Sequence, residues 1–203
     1  VADDDLILDI GPQTALLLTA DEARRPDAVA LLRQIGPQRL LCHFDAAARH
    51  GLAELSAFAD LQQALPEIAF DLELLALCLP DGDLAAEFAG YAALLAAARL
   101  SPASIMVCPS VDRQSAPPGS AWPPCPPLEA IRHAARRAFP GQVLGGGMAS
   151  FFPELNRKRP PVALLDFVTH GFCPITHAAD DLSVTLVDML AELCHRAGWD
   201  GDD

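Results

Sequence analysis

The fold is decided by residues 39–109, which read RLLCHFDAAARHGLAELSAFADLQQALPEIAFDLELLALCLPDGDLAAEFAGYAALLAAARLSPASIMVCP. Three apolar runs in this stretch have the composition of strands, and the two runs between them have apolar residues at helical spacing. The strands are predicted at 39–45, 68–79 and 104–109, and the helices at 55–65 and 84–99. Strands that alternate with helices predict a parallel sheet whose strands are joined by helical crossovers.

The same alternation continues on both sides of this stretch. The further elements are a strand at 14–20, a helix that Pro26 opens and Gly36 ends, a helix at 128–139, strands at 143–152 and 162–172, and a closing helix at 182–196. We therefore predict an α/β fold, a TIM-barrel-like (β/α) domain of about six βα units that covers residues 1–203 as a single domain. A closed barrel has eight strands and about 250 residues. We therefore expect a partial chain with an incomplete barrel.

Charged residues within the predicted strands share one face of each strand. The pairs with common parity are His43 with Asp45, Asp71 with Glu73, and Asp166 with His170. In a barrel the outer strand face packs on helices, so a charged side chain in a strand is expected to point into the lumen.

Catalytic groups of such barrels collect at the carboxyl ends of the strands. The late residues Asp45, Glu154 and His170 are therefore expected at the mouth. The deeper residues Asp71, Glu73 and Asp166 are expected to be orienting or structural partners. Glu73 fits a buried carboxylate paired with a lysine or arginine equally well. His43 fits a satisfied core histidine better than a ligand.

The richest polar stretch is residues 143–181, VLGGGMASFFPELNRKRPPVALLDFVTHGFCPITHAADD. Six polar or charged side chains accompany its two strand-like runs: Glu154, Asn156, Arg157, His170, His177 and Asp180. Strand interiors rarely carry so many, so this stretch is predicted to build a polar site. Asp180 also suits the cap of the closing helix. The three glycines at 145–147 predict a close approach of backbone or ligand.

Two segments of this stretch resemble the signature of bacterial D-apionate lactonases. FFPELNRKRPP (151–161) matches F-x-E-L-N-R-x-R-P, and LLDFVTHGFCPITHAADD (164–181) matches a strand that ends in P-x-x-H-A-x-D. The chain departs from the family pattern at Cys173, where the family has an asparagine. The resemblance implies a TIM-barrel-like domain that hydrolyses a branched-sugar lactone, D-apionolactone to D-apionate, in carbohydrate catabolism.

Lactone hydrolysis requires an activated water, a donor for the developing oxyanion and a proton for the departing ring oxygen. We expect Glu154 and His177 to be the catalytic base and acid, with their roles left open. The expected substrate-binding residues are Asn156, Arg157, His170, Asp180, Glu73 and Asp45. The chain has no G-x-S-x-G nucleophile elbow, so water attack is expected rather than a serine acyl-enzyme. No cofactor and no metal is expected.

Three other readings remain open. Glu73 and Glu154 could flank a glycosidic bond as the carboxylate pair of a barrel glycoside hydrolase. His43, Asp45, Glu73 and His170 could build a metal-dependent hydrolase, although no H-x-H or H-E-x-x-H spacing supports this. An incomplete barrel could also be a non-enzymatic interaction module.

The composition favours a small-molecule partner over nucleic acid or a membrane. The net charge is −13, with acidic tails at 1–5 and 200–203, which argues against nucleic acid. No apolar run suits a membrane span or a leader peptide, and the six cysteines lack C-x-x-C spacing. We therefore expect a cytoplasmic protein with buried free thiols. Two unpaired parallel edges predict a homo-oligomer, or a need for further C-terminal strands.

Overall fold

A computed structural model of the chain describes residues 15–115 and 117–171. The strands are β1 (Leu16–Leu18), β2 (Arg39–Asp45), β3 (Ala69–Ala76), β4 (Ser104–Pro109), β5 (Val143–Phe151) and β6 (Val168–Gly171). The α-helices are α1 (Ala20–Ala23), α2 (Ala28–Ile35), α3 (Leu52–Ala64), α4 (Leu84–Ala98), α5 (Leu128–Ala138) and α6 (Phe152–Lys158). Short 3₁₀ helices follow β4 (Ser110–Arg113) and α6 (Val162–Leu164). Within these residues no helix is long and apolar enough to cross a membrane.

All six strands are parallel, and each lies beside its neighbour in the sequence, in the order β1-β2-β3-β4-β5-β6. A doubly wound sheet reverses its strand order at a switch point, whereas a (β/α) barrel adds each strand next to the preceding one. The predicted TIM-barrel-like fold of about six βα units is therefore confirmed. The described residues supply six of the eight strands that a closed barrel contains.

The helices pack on one face of the strands. Cys42, Leu72 and Ile105 form one row across β2, β3 and β4 on this face, and all three are at most 2% exposed. Large side chains from the helices, Phe58, Phe88 and Ile131, lie in the same core. Full burial of such a side chain contributes about 1.5–3 kcal/mol to folding. The outer face is therefore the main source of stability.

The opposite face of the same strands is polar at its amino end and apolar nearer its carboxyl end. Arg39 of β2 binds both carboxylate oxygens of Asp71, at 2.6 and 2.7 Å, and the hydroxyl of Ser104 donates to Asp71 at 2.7 Å. Further along, Leu75, Met106 and Cys108 form a small apolar cluster that Ala149 and Phe167 cover. The alternation of faces predicted for β3 is confirmed.

Several element bounds differ from the predicted ones. Helix α1 is an unforeseen single turn, in which Thr19 and Glu22 form a capping box. Strand β3 ends at Ala76, because Cys78 takes a left-handed conformation with φ of 48°. The predicted strand at 162–172 begins only at Val168, because Pro160 and Pro161 lead into a 3₁₀ turn. The predicted helix at 182–196 lies outside the described residues.

The inward position predicted for Asp166 is wrong. Asp166 precedes β6 and lies on the surface, where it pairs with Arg136 of α5 at 2.6 Å. Its second oxygen accepts a hydrogen bond from the backbone of Leu144 at 2.8 Å. The arginine and the backbone donor lower the pKa of Asp166 from its ordinary value. This carboxylate therefore anchors the outer layer rather than the lumen.

The glycines of β5 are required by close packing against protein groups. A Cβ on Gly145 would lie 2.2 Å from the ring of Phe167, and one on Gly146 would lie 1.9 Å from the guanidinium of Arg132. Gly147 has φ of +150°, and its Cβ would lie 1.8 Å from the carbonyl oxygen of Thr169. The close approach predicted for this triplet is therefore made by side chains and backbone of the chain itself.

The cysteines among the described residues are free, as predicted. Cys42, Cys78 and Cys108 are buried and Cys125 is half-buried. Burial raises the pKa of Cys108 to about 12, so its thiol stays protonated near neutral pH. Cys173 and Cys194 lie outside the described residues.

Candidate active site

The carboxyl end of β4 leads into a segment that contacts the end of β2 and helix α6. We call residues 112–115 the bridging segment. Asp112 pairs with Lys158 of α6, Arg113 pairs with Asp45 at the end of β2, and Ser115 binds Glu154 of α6. A strand end that gathers charged groups from its neighbours has the position of the active site in (β/α) barrels.

Glu154 is a buried carboxylate of which only one oxygen accepts hydrogen bonds from the described residues. Its side chain is 5% exposed. Oε1 accepts hydrogen bonds from the hydroxyl of Ser115 at 2.7 Å and from Nη2 of Arg157 at 2.9 Å. Oε2 accepts none from any described residue. Such a carboxylate is oriented by its neighbours and still able to accept a proton or a hydrogen bond.

The position of Glu154 follows from an unpredicted helix. Strand β5 ends in an irregularity between Met148 and Phe151, and α6 begins at Phe152 with Pro153 in its first turn. Proline and an acidic residue both suit a helix N-terminus. In a helix, residues three and four positions apart lie on the same face. Arg157 and Lys158 therefore lie on the side of Glu154.

Asp45 closes the turn after β2. It is 1% exposed, Oδ2 pairs with Nη1 of Arg113, and Oδ1 accepts from the backbone of Ala47 at 2.9 Å. The backbone N–H of Asp45 in turn donates to Nδ1 of His50 at 3.1 Å. Asp45 lies at the strand end where it was expected, and it holds Arg113, whose side chain remains 52% exposed.

Glu73 lies one layer deeper and pairs with His43. The distance from Nδ1 of His43 to Oε2 of Glu73 is 2.5 Å, and the two side chains are 15% and 9% exposed. The buried carboxylate therefore has an imidazole partner rather than the lysine or arginine that was considered. The ring of His43 also lies edge-on to His50, with 5.9 Å between the ring centroids.

Asp112 and Lys158 form a pair that the sequence reading did not identify. Asp112 is 1% exposed and Lys158 is 11% exposed by side chain. The ammonium lies 5.4 Å from the centroid of the Trp122 ring, a cation–π distance. Oδ2 of Asp112 is buried and accepts no hydrogen bond from a residue in the described part of the chain. Burial raises the pKa of Asp112 above its ordinary value, and Lys158 opposes that shift.

His170 contacts Gly171 and Phe152, and Asn156 lies on a different face of α6 from Glu154. His170 in β6 has its Nδ1 2.9 Å from the carbonyl oxygen of Gly171, and its ring lies edge-on to Phe152 with centroids 5.3 Å apart. Asn156 is two positions from Glu154 in α6, so their side chains do not share a helix face. The predicted site residues His177 and Asp180 lie outside the described residues.

The structure thus joins Asp45 and Glu154 through the bridging segment and places Glu73 beneath them. Asp112, Arg113 and Ser115 were missed, although the sequence carried a signal for them. PSVDR (109–113) begins at the carboxyl end of the strand predicted at 104–109, where barrel sites are built. Lys158 was likewise not predicted as a site residue. Within residues 15–115 and 117–171, no group of three or more histidine, cysteine or acidic side chains could hold a metal ion.

Comparisons with known proteins identify the family to which the chain is similar. A family model described as "D-apionate lactonase, TIM barrel domain" matches residues 14–192. A curated D-apionate lactonase from Brucella anthropi is 46% identical over 174 residues, which are 85% of this chain. The matched segment is 28% of the length of that relative, so the chain spans about a quarter of it.

Proposed function

This chain belongs to the D-apionate lactonase family, and we propose that it hydrolyses the ester bond of a sugar lactone, of the D-apionolactone to D-apionate type, in carbohydrate catabolism. The activity is that of a carboxylic-ester hydrolase in which water attacks the lactone carbonyl. The family match covers the barrel strands and the bridging segment, and the named relative supports this substrate class.

The observation that carries the proposal is the geometry of Glu154. One oxygen is fixed by Ser115 and Arg157, and the other accepts no hydrogen bond from a described residue. In the proposed reaction this free oxygen takes a proton from water as the water oxygen bonds to the lactone carbonyl carbon. The C=O electron pair moves onto the carbonyl oxygen and gives a tetrahedral oxyanion.

The cations around Glu154 suit the charge that this reaction develops. Arg113, Arg157 and Lys158 all lie beside carboxylates of the cluster, and Arg113 is half-exposed. An arginine near the carbonyl oxygen stabilises the oxyanion, and the product is itself a carboxylate anion. His177 remains a proposed proton carrier, and Asn156, His170 and Asp180 remain proposed contacts to the substrate.

The test is Glu154→Gln, measured by proton release from a panel of aldonolactones with the longest available chain. Loss of the proton-accepting oxygen is expected to lower kcat by about 10²–10⁴-fold, because general base catalysis contributes that much. Glu67→Gln is the matched control, because Glu67 is exposed and precedes β3 at the amino end of the sheet. Near-normal turnover by Glu154→Gln would make this carboxylate structural.

An aryl glycoside in the same panel tests the alternative reading. Glu73 and Glu154 were the carboxylate pair considered for a glycoside hydrolase, and Glu73 is engaged by His43. We expect no release of the aryl alcohol. Hydrolysis of the glycoside without hydrolysis of any lactone would replace the lactonase proposal.

A further inference from the structure

The His43–Glu73 pair has the geometry of an oriented proton carrier. Nδ1 of His43 lies 2.5 Å from the carboxylate, which fixes the ring, and His50 lies edge-on against it. Nε2 makes no hydrogen bond with any residue that the structure describes, and the side chain is 15% exposed rather than sealed in the core. A histidine that only filled the core would be expected to satisfy both ring nitrogens.

The pair lies directly below the candidate site. His43 and Asp45 are two residues apart in β2, so they share a strand face and are separated by about 7 Å along it. Asp45 pairs with Arg113, and Ser115, two residues further on, binds Glu154. The bridging segment therefore links the layer above His43 to the carboxylate that is proposed to activate water.

The His43–Glu73 pair has apolar neighbours in the sheet. Glu73 is flanked in the sheet by Met106 of β4, which lies in the apolar cluster with Leu75 and Phe167. Apolar side chains beside the pair lower the local dielectric, which strengthens the attraction between the Glu73 carboxylate and a protonated His43.

We propose that His43 is the general acid of the lactone hydrolysis, and that Glu73 is the positioning residue that holds its ring and compensates its charge. This inference rests on the proposed lactonase function and assigns the second proton transfer that the reaction needs. As the tetrahedral oxyanion re-forms its C=O bond, the ring C–O bond breaks and its electron pair stays on the ring oxygen. The Nε2–H proton of the imidazolium moves to that oxygen.

The proton balance then closes without any further reactant. Glu154 holds the proton taken from water, and His43 has become neutral with Nδ1–H still bonded to Glu73. Glu154 loses its proton and His43 regains one by exchange with solvent between turnovers. The net reaction consumes one water and gives one hydroxy acid, which ionises at neutral pH.

The test compares two leaving groups in the variants His43→Gln and Glu154→Gln. An aldonolactone expels an alkoxide, which needs a proton, whereas dihydrocoumarin expels a phenoxide, which leaves without one. His43→Gln is expected to lower kcat for the aldonolactone by about 10²-fold or more, and to change kcat for dihydrocoumarin by less than about tenfold. Glu154→Gln is expected to impair both substrates, because each needs an activated water.

A double-mutant cycle supplies the second readout. Glu73→Gln is expected to lower kcat with little change in KM, and the His43→Gln, Glu73→Gln double variant should be no slower than His43→Gln alone. Asp71→Asn is the control, because Asp71 lies two residues away on the same face but pairs with Arg39 and Ser104. The folded Asp71→Asn variant should retain the wild-type kcat. Additive losses in the cycle would overturn the proposed pairing.

The outcomes separate this inference from the proposed function. If the wild type hydrolyses no lactone, the proposed function fails. If it hydrolyses lactones and Glu154→Gln does not, but His43→Gln impairs both substrates equally or neither, the general-acid assignment alone fails. Should dihydrocoumarin not be accepted, the double-mutant cycle on the aldonolactone decides the matter.

Discussion

Strands β2 to β4 and strands β5 to β6 are built in different ways. The first three pair in unbroken register, from Arg39↔Ala69 to Ala76↔Pro109, and alternate strictly between a helix-facing and an inward face. Strand β5 pairs with β4 only as far as Gly145, then pairs with β6, and loses register between Met148 and Phe151.

The irregular portion depends on side chains that are distant in the sequence. Arg132 of α5 lies over Gly146 and donates to the carbonyl of Gly145 at 2.8 Å, while Phe167 covers Gly145. The irregular end of β5 is followed by α6, which carries Glu154 to the bridging segment. Regular pairing thus gives stability, and the departure from it positions the candidate site.

The largest effect is expected from Gly147→Ala in the irregular portion. The new Cβ would lie 1.8 Å from a backbone oxygen of β6, at a φ of +150° that residues other than glycine rarely adopt. We expect the free energy of unfolding to fall by at least about 4 kcal/mol. Chemical denaturation monitored by circular dichroism measures it.

The matched control is Gly90→Ala in α4. No atom lies within 4 Å of a Cβ built on Gly90, and the residue is exposed. Alanine in a helix is favoured over glycine by about 1 kcal/mol, so this variant should be slightly more stable than the wild type. Equal effects of the two substitutions would show that β5 is not tightly packed at its glycines.

In the regular portion, strands β2 to β4, the protein is expected to be destabilised when a buried side chain is made smaller. Leu72 is 1% exposed and lies between Cys42 and Ile105 in the helix-facing row. Leu72→Ala is expected to lower the free energy of unfolding by about 3 kcal/mol through lost burial and the cavity that remains. The slope of the denaturation curve should stay unchanged. A decrease in the free energy of unfolding below about 1 kcal/mol would mean that neighbouring side chains move to fill the cavity.

The same difference explains what the sequence could predict. The bounds of β2 and β4 and the facing of Asp71 and Glu73 follow from local alternation, which depends only on which face is buried. Asp166 was misplaced because β6 begins at Val168, after the 3₁₀ turn that follows Pro160 and Pro161. Asp166 is therefore not in a strand, and the alternation of strand faces counted from Val162 does not apply to it. Its partner Arg136 lies 30 positions earlier, so no local pattern indicates it.

The cluster around the bridging segment contains Asp45 and Glu154 of the predicted site residues, but the sequence did not indicate its other members. Glu154 was expected at the carboxyl end of the fifth strand, whereas it lies on a helix that turns it towards Ser115. Asp112 and Arg113 follow a strand without any motif, so only their partners Lys158 and Asp45 reveal that they belong to the cluster. Pairing across separate βα units is a tertiary property that the order of residues does not encode locally.

The smallest effect is expected where the two portions meet, at Asp112 beside Lys158. Burial raises the pKa of Asp112, so the folded chain binds this proton more tightly than the unfolded chain, whose value is about 3.9. The resulting stability is present below about pH 4 and is lost as the pH rises through the folded pKa. Asparagine does not titrate. The stability of Asp112→Asn relative to the wild type should therefore improve as the pH rises from about 4 towards neutrality.

Glu54→Gln is the control with the opposite sign. The backbone N–H of Gly51, together with Arg24, lowers the pKa of Glu54, so its stabilising contribution is present at higher pH and is lost as the pH falls through the folded pKa. The stability of Glu54→Gln relative to the wild type should therefore worsen as the pH rises from about 3 towards neutrality. Unfolding free energies from urea titrations at several pH values measure both trends. If the two variants drift in the same direction, the junction between β4 and α6 does not bury Asp112 as strongly as its 1% exposure indicates, and solvent reaches the pair with Lys158.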